Sequence, residues 1–112
     1  MLFIHGLGSS SLVWKDIPEA LSRHFHTIAI DLGFGLSDKP TQPDNYTMEG
    51  FSKFIVDFLD AVRINKVCPH NKISLVGHSL GGFIAALAAT RLKGKIEKLV
   101  LVDFPVSLVY RY

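Results

Sequence analysis

A serine between two glycines has the clearest chemical meaning in this sequence. Ser79 follows the apolar run 73–76, and Gly77 and Gly81 stand two residues away on either side. This is the spacing of the G-x-S-x-G nucleophile elbow, in which a serine sits on a sharp turn between a strand and a helix. Because the backbone of that serine is strained, side chains at the positions two before and two after it would be crowded, and glycine is favoured at both. The spacing predicts a nucleophilic Ser79 at the positive end of a helix, with the N–H of Leu80 available to a developing oxyanion.

Three other segments stand around this motif in a fixed order. Near the start, Phe3-Ile-His5-Gly6-Leu7-Gly8 looks like a His-Gly-x-Gly oxyanion loop. The segment 28–37, IAIDLGFGLS, is close to Asp-x-Pro-Gly-x-Gly-x-Ser after a strand, although one residue and the proline are missing. Leu99-Val-Leu-Val-Asp103 follows the elbow helix as the next strand should. Together with the elbow, this ordered set resembles the α/β-hydrolase family over nearly the whole chain.

The resemblance implies a fold and an incomplete domain. We expect a three-layer αβα arrangement with a mostly parallel sheet, because strands and helices alternate along the chain. Residues 1–112 would form a single domain, a truncated α/β-hydrolase core that corresponds to about strands three to six of the family's eight. Members of the family are typically more than twice this long. Without its outer strands the sheet would expose hydrophobic edges, and we expect self-association through them.

By resemblance, the functional residues lie at the carboxyl ends of the strands. The second oxyanion N–H falls on Leu7, in the loop that begins with His5 and Gly6. Because His5 ends a strand, we expect it to order this loop rather than to act as the general base. The acid of the family follows either the seventh strand or the sixth, so Asp103 is either the catalytic acid or a structural aspartate. We expect Asp31 to order its own loop.

The chemistry that the resemblance implies is that of a serine hydrolase acting on an ester-like bond of a small-molecule substrate. A base takes the Ser79 proton while the hydroxyl attacks a carbonyl. In the family this base is a histidine after the final strand, and none of the five histidines of this chain occupies that position. We expect His78, next to the serine, to point away from it. The chain is therefore either a segment of a serine hydrolase or a non-catalytic remnant with a binding role or none.

Composition argues against several other functions. The formal net charge is +2 and the charges of both signs are scattered, so no nucleic-acid surface is indicated. The apolar run 73–89 is interrupted by Gly, His and Ser, which favours a buried strand and helix over a membrane span. We expect no secretory signal, because Met1 leads directly into Leu-Phe-Ile-His without a basic region, and the single cysteine, Cys68, fits a cytoplasmic location. We expect no metal and no cofactor, since His24-Phe-His26 lacks a third ligand and Gly33-Phe-Gly35 lacks a third glycine.

The remaining segments predict helices that pack on the sheet. Asp16 and Glu19 stand three apart, which indicates a capping box for a helix that runs to about His24. A longer helix begins after Thr47, and its apolar positions recur at three and four, which is typical of packing on a sheet. The predicted strands are 2–5, 27–31, the run before Ser79, and 98–103. The predicted buried faces contain Ile17, Ala20 and Leu21 in the first helix and Phe51, Phe54, Ile55, Phe58, Leu59 and Val62 in the second.

Overall fold

Four parallel strands form the centre of the computed structural model, which describes residues 1–104. The strand order is β2-β1-β3-β4, and every neighbouring pair is parallel. The α/β fold class expected from the sequence is confirmed. The strands are β1 (Leu2–Ile4), β2 (Ile28–Ile30), β3 (Ile73–His78) and β4 (Ile96–Val102). The α-helices are α1 (Ile17–Leu21), α2 (Met48–Ala61), α3 (Ile64–Val67) and α4 (Leu80–Arg91), and 3₁₀ turns cover Ser11–Trp14, Pro43–Tyr46 and Pro69–Asn71.

Helices α2 and α4 cover one face of the sheet. Successive strand residues point to opposite faces, and Leu2, Ile4 and Leu75 all point to this one, where they are fully buried. The helix α4 presents Ala85 and Ala88 to them, and these small side chains let its axis lie close to the sheet. This close approach brings the amino end of α4 to the ends of β1 and β3.

The opposite face carries a smaller cluster built around Trp14. Phe3 of β1 and Val76 of β3 point to this face, and the rings of Phe3 and Trp14 lie 5.1 Å apart. Leu21 of α1 packs against the same cluster while remaining half-buried. Within residues 1–104, the layer on this face therefore consists of α1 and the turn Ser11–Trp14.

The first helix is shorter and more exposed than predicted. The expected capping box is wrong, because Asp16 itself has helical backbone angles and its side chain makes no capping hydrogen bond. The helix also ends at Leu21 rather than near His24. The Ser22 hydroxyl donates to the Glu19 carbonyl at 2.6 Å, a local bond that competes with a further helical turn. Of the three residues predicted to be buried, Ile17 and Ala20 are exposed and only Leu21 packs inward.

The second helix begins as predicted. Thr47 caps it, since its hydroxyl oxygen accepts a hydrogen bond from the N–H of Gly50 at 3.0 Å. Phe54 and Val62, predicted as core, are exposed, and Val62 follows the last residue of the helix. Phe58, also predicted as core, is half-buried and packs against the core. The buried row consists of Phe51, Ile55 and Leu59, at steps of four.

Within residues 1–104 no helix has the length and apolar character needed to cross a membrane.

The strand β4 forms one edge of the sheet. It begins at Ile96, two residues earlier than predicted, and its register with β3 shifts between Ile73 and Ser74. Its four central and final residues, 99–102, keep 38 to 41 % of their surfaces exposed although all are apolar. An apolar edge strand of seven residues is a template for pairing with another strand.

Candidate active site

The turn between β3 and α4 places Ser79 at the carboxyl edge of the sheet. Ser79 has φ 51° and ψ −118°, a combination that residues with a side chain rarely adopt. Its N–H donates to the carbonyl of Val102 in β4 at 3.0 Å, and its own carbonyl accepts from Gly82 at 2.9 Å. The Ser79 side chain makes no capping hydrogen bond to α4. The hydroxyl is therefore not used by the helix that it precedes, and it lies at the positive end of the helix dipole.

Two glycines allow this bend, because a side chain at either position would overlap backbone atoms. A Cβ at Gly77 would collide with the carbonyl oxygen of Gly81 and would lie 2.6 Å from the Cα of Gly82. A Cβ at Gly81 would collide with the carbonyl oxygens of Ile4 and His5. Since these are backbone atoms, no change of rotamer relieves the overlap. The glycine spacing seen in the sequence thus reflects close packing of α4 on the end of β1.

The loop of residues 5–8 lies against the serine. A Cβ at Gly6 would lie 3.3 Å from the Cβ of Ser79 and 3.2 Å from the carbonyl oxygen of His78. Gly8 has φ 71°, a left-handed conformation that glycine adopts without strain. Leu7, between the two glycines, keeps 72 % of its surface exposed. The loop therefore approaches Ser79 through its backbone.

Two backbone amides beside this junction have no acceptor in the described part of the chain. Neither the N–H of Leu7 nor that of Leu80 donates a hydrogen bond within residues 1–104. Leu80 is the first residue of α4, and the first amides of any helix lack an intrahelical acceptor. Free amides at a helix amino terminus favour negative charge. The two residues predicted as oxyanion donors lie on the two segments that meet at Ser79.

His5 ties two loops together. Its Nε2 accepts a hydrogen bond from the N–H of Leu32 at 2.9 Å, so the ring proton is on Nδ1, 2.8 Å from the carbonyl oxygen of Gly6. The ring is fully buried and packs edge-on against Phe34, with centroids 5.2 Å apart. Both nitrogens are therefore occupied, and the imidazole is not free to accept a proton from Ser79.

Asp31 holds the segment that follows the first loop. One carboxylate oxygen accepts from the N–H of Ser11 and the other from the Ser11 hydroxyl, each at 2.8 Å. One of these oxygens also lies 4.0 Å from the Nε2 of His5. Because the carboxylate fixes the start of the turn Ser11–Trp14, it sets the course of the chain from the loop at residues 5–8 to Trp14.

Asp103 stands beside Ser79 at the same edge of the sheet. His78 and Val102 are register partners in β3 and β4, so the serine and the aspartate each follow a member of one pair. Asp103 has φ 47°, and 88 % of its side-chain surface is exposed. One of its carboxylate oxygens lies 3.9 Å from the Nε2 of His78. The carboxylate is thus near the elbow and open to further partners.

His78 points to the sheet face that α4 does not cover. It follows Val76 at a step of two, and its ring meets that of Trp14 edge-on, with centroids 6.4 Å apart. All five histidines of the chain lie in the described part, and within residues 1–104 none of them is hydrogen-bonded to the Ser79 hydroxyl. In that same part, no group of three or more His, Cys, Asp or Glu side chains is arranged to hold a metal ion.

Sequence reasoning missed the cluster formed by Trp14, His78 and Asp103. Trp14 is identifiable in the sequence only as an apolar anchor, and His78 only as a neighbour of the serine. Their contact depends on tertiary packing, because the pairing of β1 with β3 puts Phe3 and His78 on one face and Trp14 packs on Phe3. The signal that could have found His78 is strand alternation, since it stands two residues after Val76.

The sheet is parallel, and at its carboxyl edge β3 is followed by a sharp turn at Ser79 and then by α4. This arrangement is that of an α/β protein of the hydrolase type. The family model for the alpha/beta hydrolase fold matches residues 1–109. The chain belongs to that family.

Individual relatives and structures agree with this assignment. The chain is 31 % identical over 111 residues to epoxide hydrolase 4 of Mus musculus, an alignment that covers 98 % of this chain and 29 % of that protein. It is 34 % identical over 105 residues to 2-(acetamidomethylene)succinate hydrolase of Mesorhizobium japonicum, covering 93 % of this chain and 35 % of that protein. A thermophilic esterase from Thermogutta terrifontis has a similar structure, with a TM-score of 0.79, 29 % identity, and coverage of 92 % and 36 %. The chain thus spans about a third of the length of these relatives.

Proposed function

We propose that this chain carries the nucleophile and the oxyanion hole of a serine hydrolase that acts on an ester-like bond. Ser79 would be the nucleophile, and the amides of Leu7 and Leu80 would stabilise the oxyanion. The observation that carries the proposal is the strained Ser79 backbone, φ 51°, combined with a hydroxyl that does not cap its own helix. A cost of order 1–3 kcal/mol for such a conformation persists only where the surroundings enforce it, and such residues cluster at active sites.

The residue type at position 79 favours a carbonyl substrate over an epoxide. Attack of a serine hydroxyl on an ester gives an acyl-enzyme, which water can hydrolyse. Attack on an epoxide would give an alkyl ether, which water does not cleave under the same conditions, and the enzyme would be blocked after one turnover. We therefore carry over the reaction type named for the Thermogutta terrifontis esterase rather than the one named for the Mus musculus relative.

The reaction requires a base that takes the Ser79 proton as the Oγ–C bond forms. The alkoxide of the leaving group then departs with that proton, and water releases the acid. Because both nitrogens of His5 are engaged, we propose that the base is a histidine of the longer protein, as the family pattern implies. Asp103 would orient that histidine if it is the acid, and its exposed carboxylate at the edge beside Ser79 supports this role. Each oxyanion donor would contribute ~2.7–4 kcal/mol of transition-state stabilisation.

A second reading concerns the 112 residues by themselves. Within residues 1–104 no histidine is hydrogen-bonded to Ser79, which favours a chain that is non-catalytic when alone and has a binding role or none. Fluorophosphonate labelling of the longer protein, which would supply the histidine, tests the proposed function. We expect Ser79 to be labelled in that protein and in its Ser22→Ala variant, a matched control at an exposed serine, and not in Ser79→Ala, whereas the 112 residues alone should react much more slowly because they lack the base. A folded longer protein without an adduct on Ser79 would favour the non-catalytic reading.

The chain's organisation and partners follow from the same assignment. We propose that residues 1–112 form one truncated core, equivalent to about strands three to six of the family, and that the substrate is a small molecule. Since β4 is an apolar edge, the isolated chain would self-associate through it. A cytoplasmic location remains a prediction from the single Cys68.

A further inference from the structure

His78 lies between Trp14 and Asp103, two residues that are far apart in the sequence. On one side its ring meets Trp14 edge-on, at an interplanar angle of 86°. On the other side its Nε2 faces the Asp103 carboxylate at 3.9 Å. Trp14 is itself buried against Phe3, with 6 % of its surface exposed. The indole therefore fixes the plane of the imidazole, and the imidazole directs one nitrogen toward the end of β4.

The two ring nitrogens of His78 have different surroundings. Nδ1 is buried and has no hydrogen-bond partner in the described part of the chain. It lies 3.3 Å from where a Cβ at Gly6 would stand, so it faces the loop of residues 5–8. Nε2 faces an anion. A proton on Nε2 points toward the carboxylate, whereas a proton on Nδ1 would leave a buried N–H without an acceptor. The second arrangement has the higher free energy.

We propose that His78 is a positioning residue that holds the Asp103 carboxylate at the edge of the sheet beside Ser79, through a proton on Nε2. The separation of 3.9 Å closes to a hydrogen bond by rotation of the Asp103 side chain, which is free to move because it is 88 % exposed. The geometry gives the approach of the two groups to 3.9 Å, and the hydrogen bond between them is the proposed step. Its consequence for reactivity rests on the proposed function.

The contact acts on Ser79 through the backbone. The N–H of Ser79 is bonded to the carbonyl of Val102, one residue before Asp103. A hydrogen bond between His78 and Asp103 would join the ends of β3 and β4 beside this backbone bond. Loss of that hydrogen bond would loosen the bend at Ser79 without removing any group that touches a substrate.

Two amide replacements at position 78 test this inference because each reproduces one nitrogen of the ring. The amide of His78→Gln reaches the place of Nε2, and that of His78→Asn reaches the place of Nδ1. In the longer protein, we expect fluorophosphonate labelling of Ser79 to stay within about twofold of wild type in the glutamine variant and to fall about tenfold in the asparagine variant. Equal rates in the two variants would overturn the inference, since a residue that only fills space does not distinguish them.

A measurement that needs no reactivity tests the contact separately. Long-range ¹H–¹⁵N spectra of wild type should show the neutral His78 proton on Nε2, and the Nε2 resonance should move in Asp103→Gly. Glycine suits this position because φ is 47° there. A proton on Nδ1, or an unmoved resonance, would overturn the inference. If Ser79 of the wild-type longer protein is not labelled at all, the proposed function fails, while the tautomer and the shift still decide the role of His78.

Discussion

Replacing Gly6 by alanine should impair Ser79 far more than it impairs the fold. The new Cβ would lie 3.2 Å from the His78 carbonyl oxygen, 3.3 Å from the His78 Nδ1 and 3.3 Å from the Ser79 Cβ. Ordinary contacts of a Cβ begin at 3.4 Å, so the loop of residues 5–8 must retreat by a few tenths of an ångström. Adding one methyl group to a packed site typically costs 1–3 kcal/mol, and this small overlap places the cost at about 1 kcal/mol.

The effect on reactivity should be larger, because the retreat moves the Leu7 amide away from the oxyanion. Complete loss of one such donor costs ~2.7–4 kcal/mol, and a partial displacement should cost about half of that. The rate constant for fluorophosphonate labelling of Ser79 should therefore fall by roughly 10- to 30-fold. Timed labelling of the longer protein, followed by mass spectrometry of the intact protein, measures this rate.

Gly94→Ala is the matched control. Gly94 has φ 77° and nothing within 4 Å of where its Cβ would stand, so alanine there is strained but crowds no neighbour. It should cost about 1 kcal/mol of folding free energy and leave the labelling rate unchanged. The reasoning about Leu7 is refuted if Gly6→Ala labels as fast as Gly94→Ala at equal fractions of folded chain.

Three further predictions concern other parts of the molecule. Asp31→Ala should lower the free energy of unfolding in urea by about 1–3 kcal/mol, because it leaves the Ser11 amide and hydroxyl without their acceptor; an unchanged midpoint would contradict this. Burial lowers the pKa of the Met1 amino group from 8.0, and the charge interaction with Cys68 raises it by a smaller amount. The unfolded chain therefore binds more protons than the folded chain just below pH 8.0. The free energy of unfolding should therefore rise with pH up to about 8 and then level off, and a chain with an acetylated amino terminus should lack this rise. Val100→Lys places a charge on the exposed edge of β4 and should reduce self-association in sedimentation; an unchanged association constant would show that the copies meet elsewhere.

Much of the fold was predictable because local pattern and global packing agree. The apolar runs that became β1 and β3 are followed by Gly6 and Gly77, and Gly77 lies directly against Gly81 and Gly82 of α4. Thr47 was recognisable as a cap because its hydroxyl and the Gly50 amide are only three residues apart. Such features depend on neighbours in the sequence, so the sequence displays them.

The errors have a different origin. Asp16 and Glu19 have the spacing of a capping box, but the box forms only if Asp16 is extended, and its ψ is −2°. Phe54 belongs to the same three-and-four pattern as Phe51, yet Phe51 is buried and Phe54 is exposed. The contact between Trp14 and His78 joins elements that are distant in the chain. Each of these features is decided by tertiary packing, which no local pattern records.

The most direct test is a crystal structure of the longer protein, with its histidine present, after reaction with a fluorophosphonate. We expect phosphorus bonded to the Oγ of Ser79, and the phosphoryl oxygen within about 2.7–3.1 Å of the amide nitrogens of both Leu7 and Leu80. An adduct on another residue, or a phosphoryl oxygen turned away from these two amides, would contradict the proposed function.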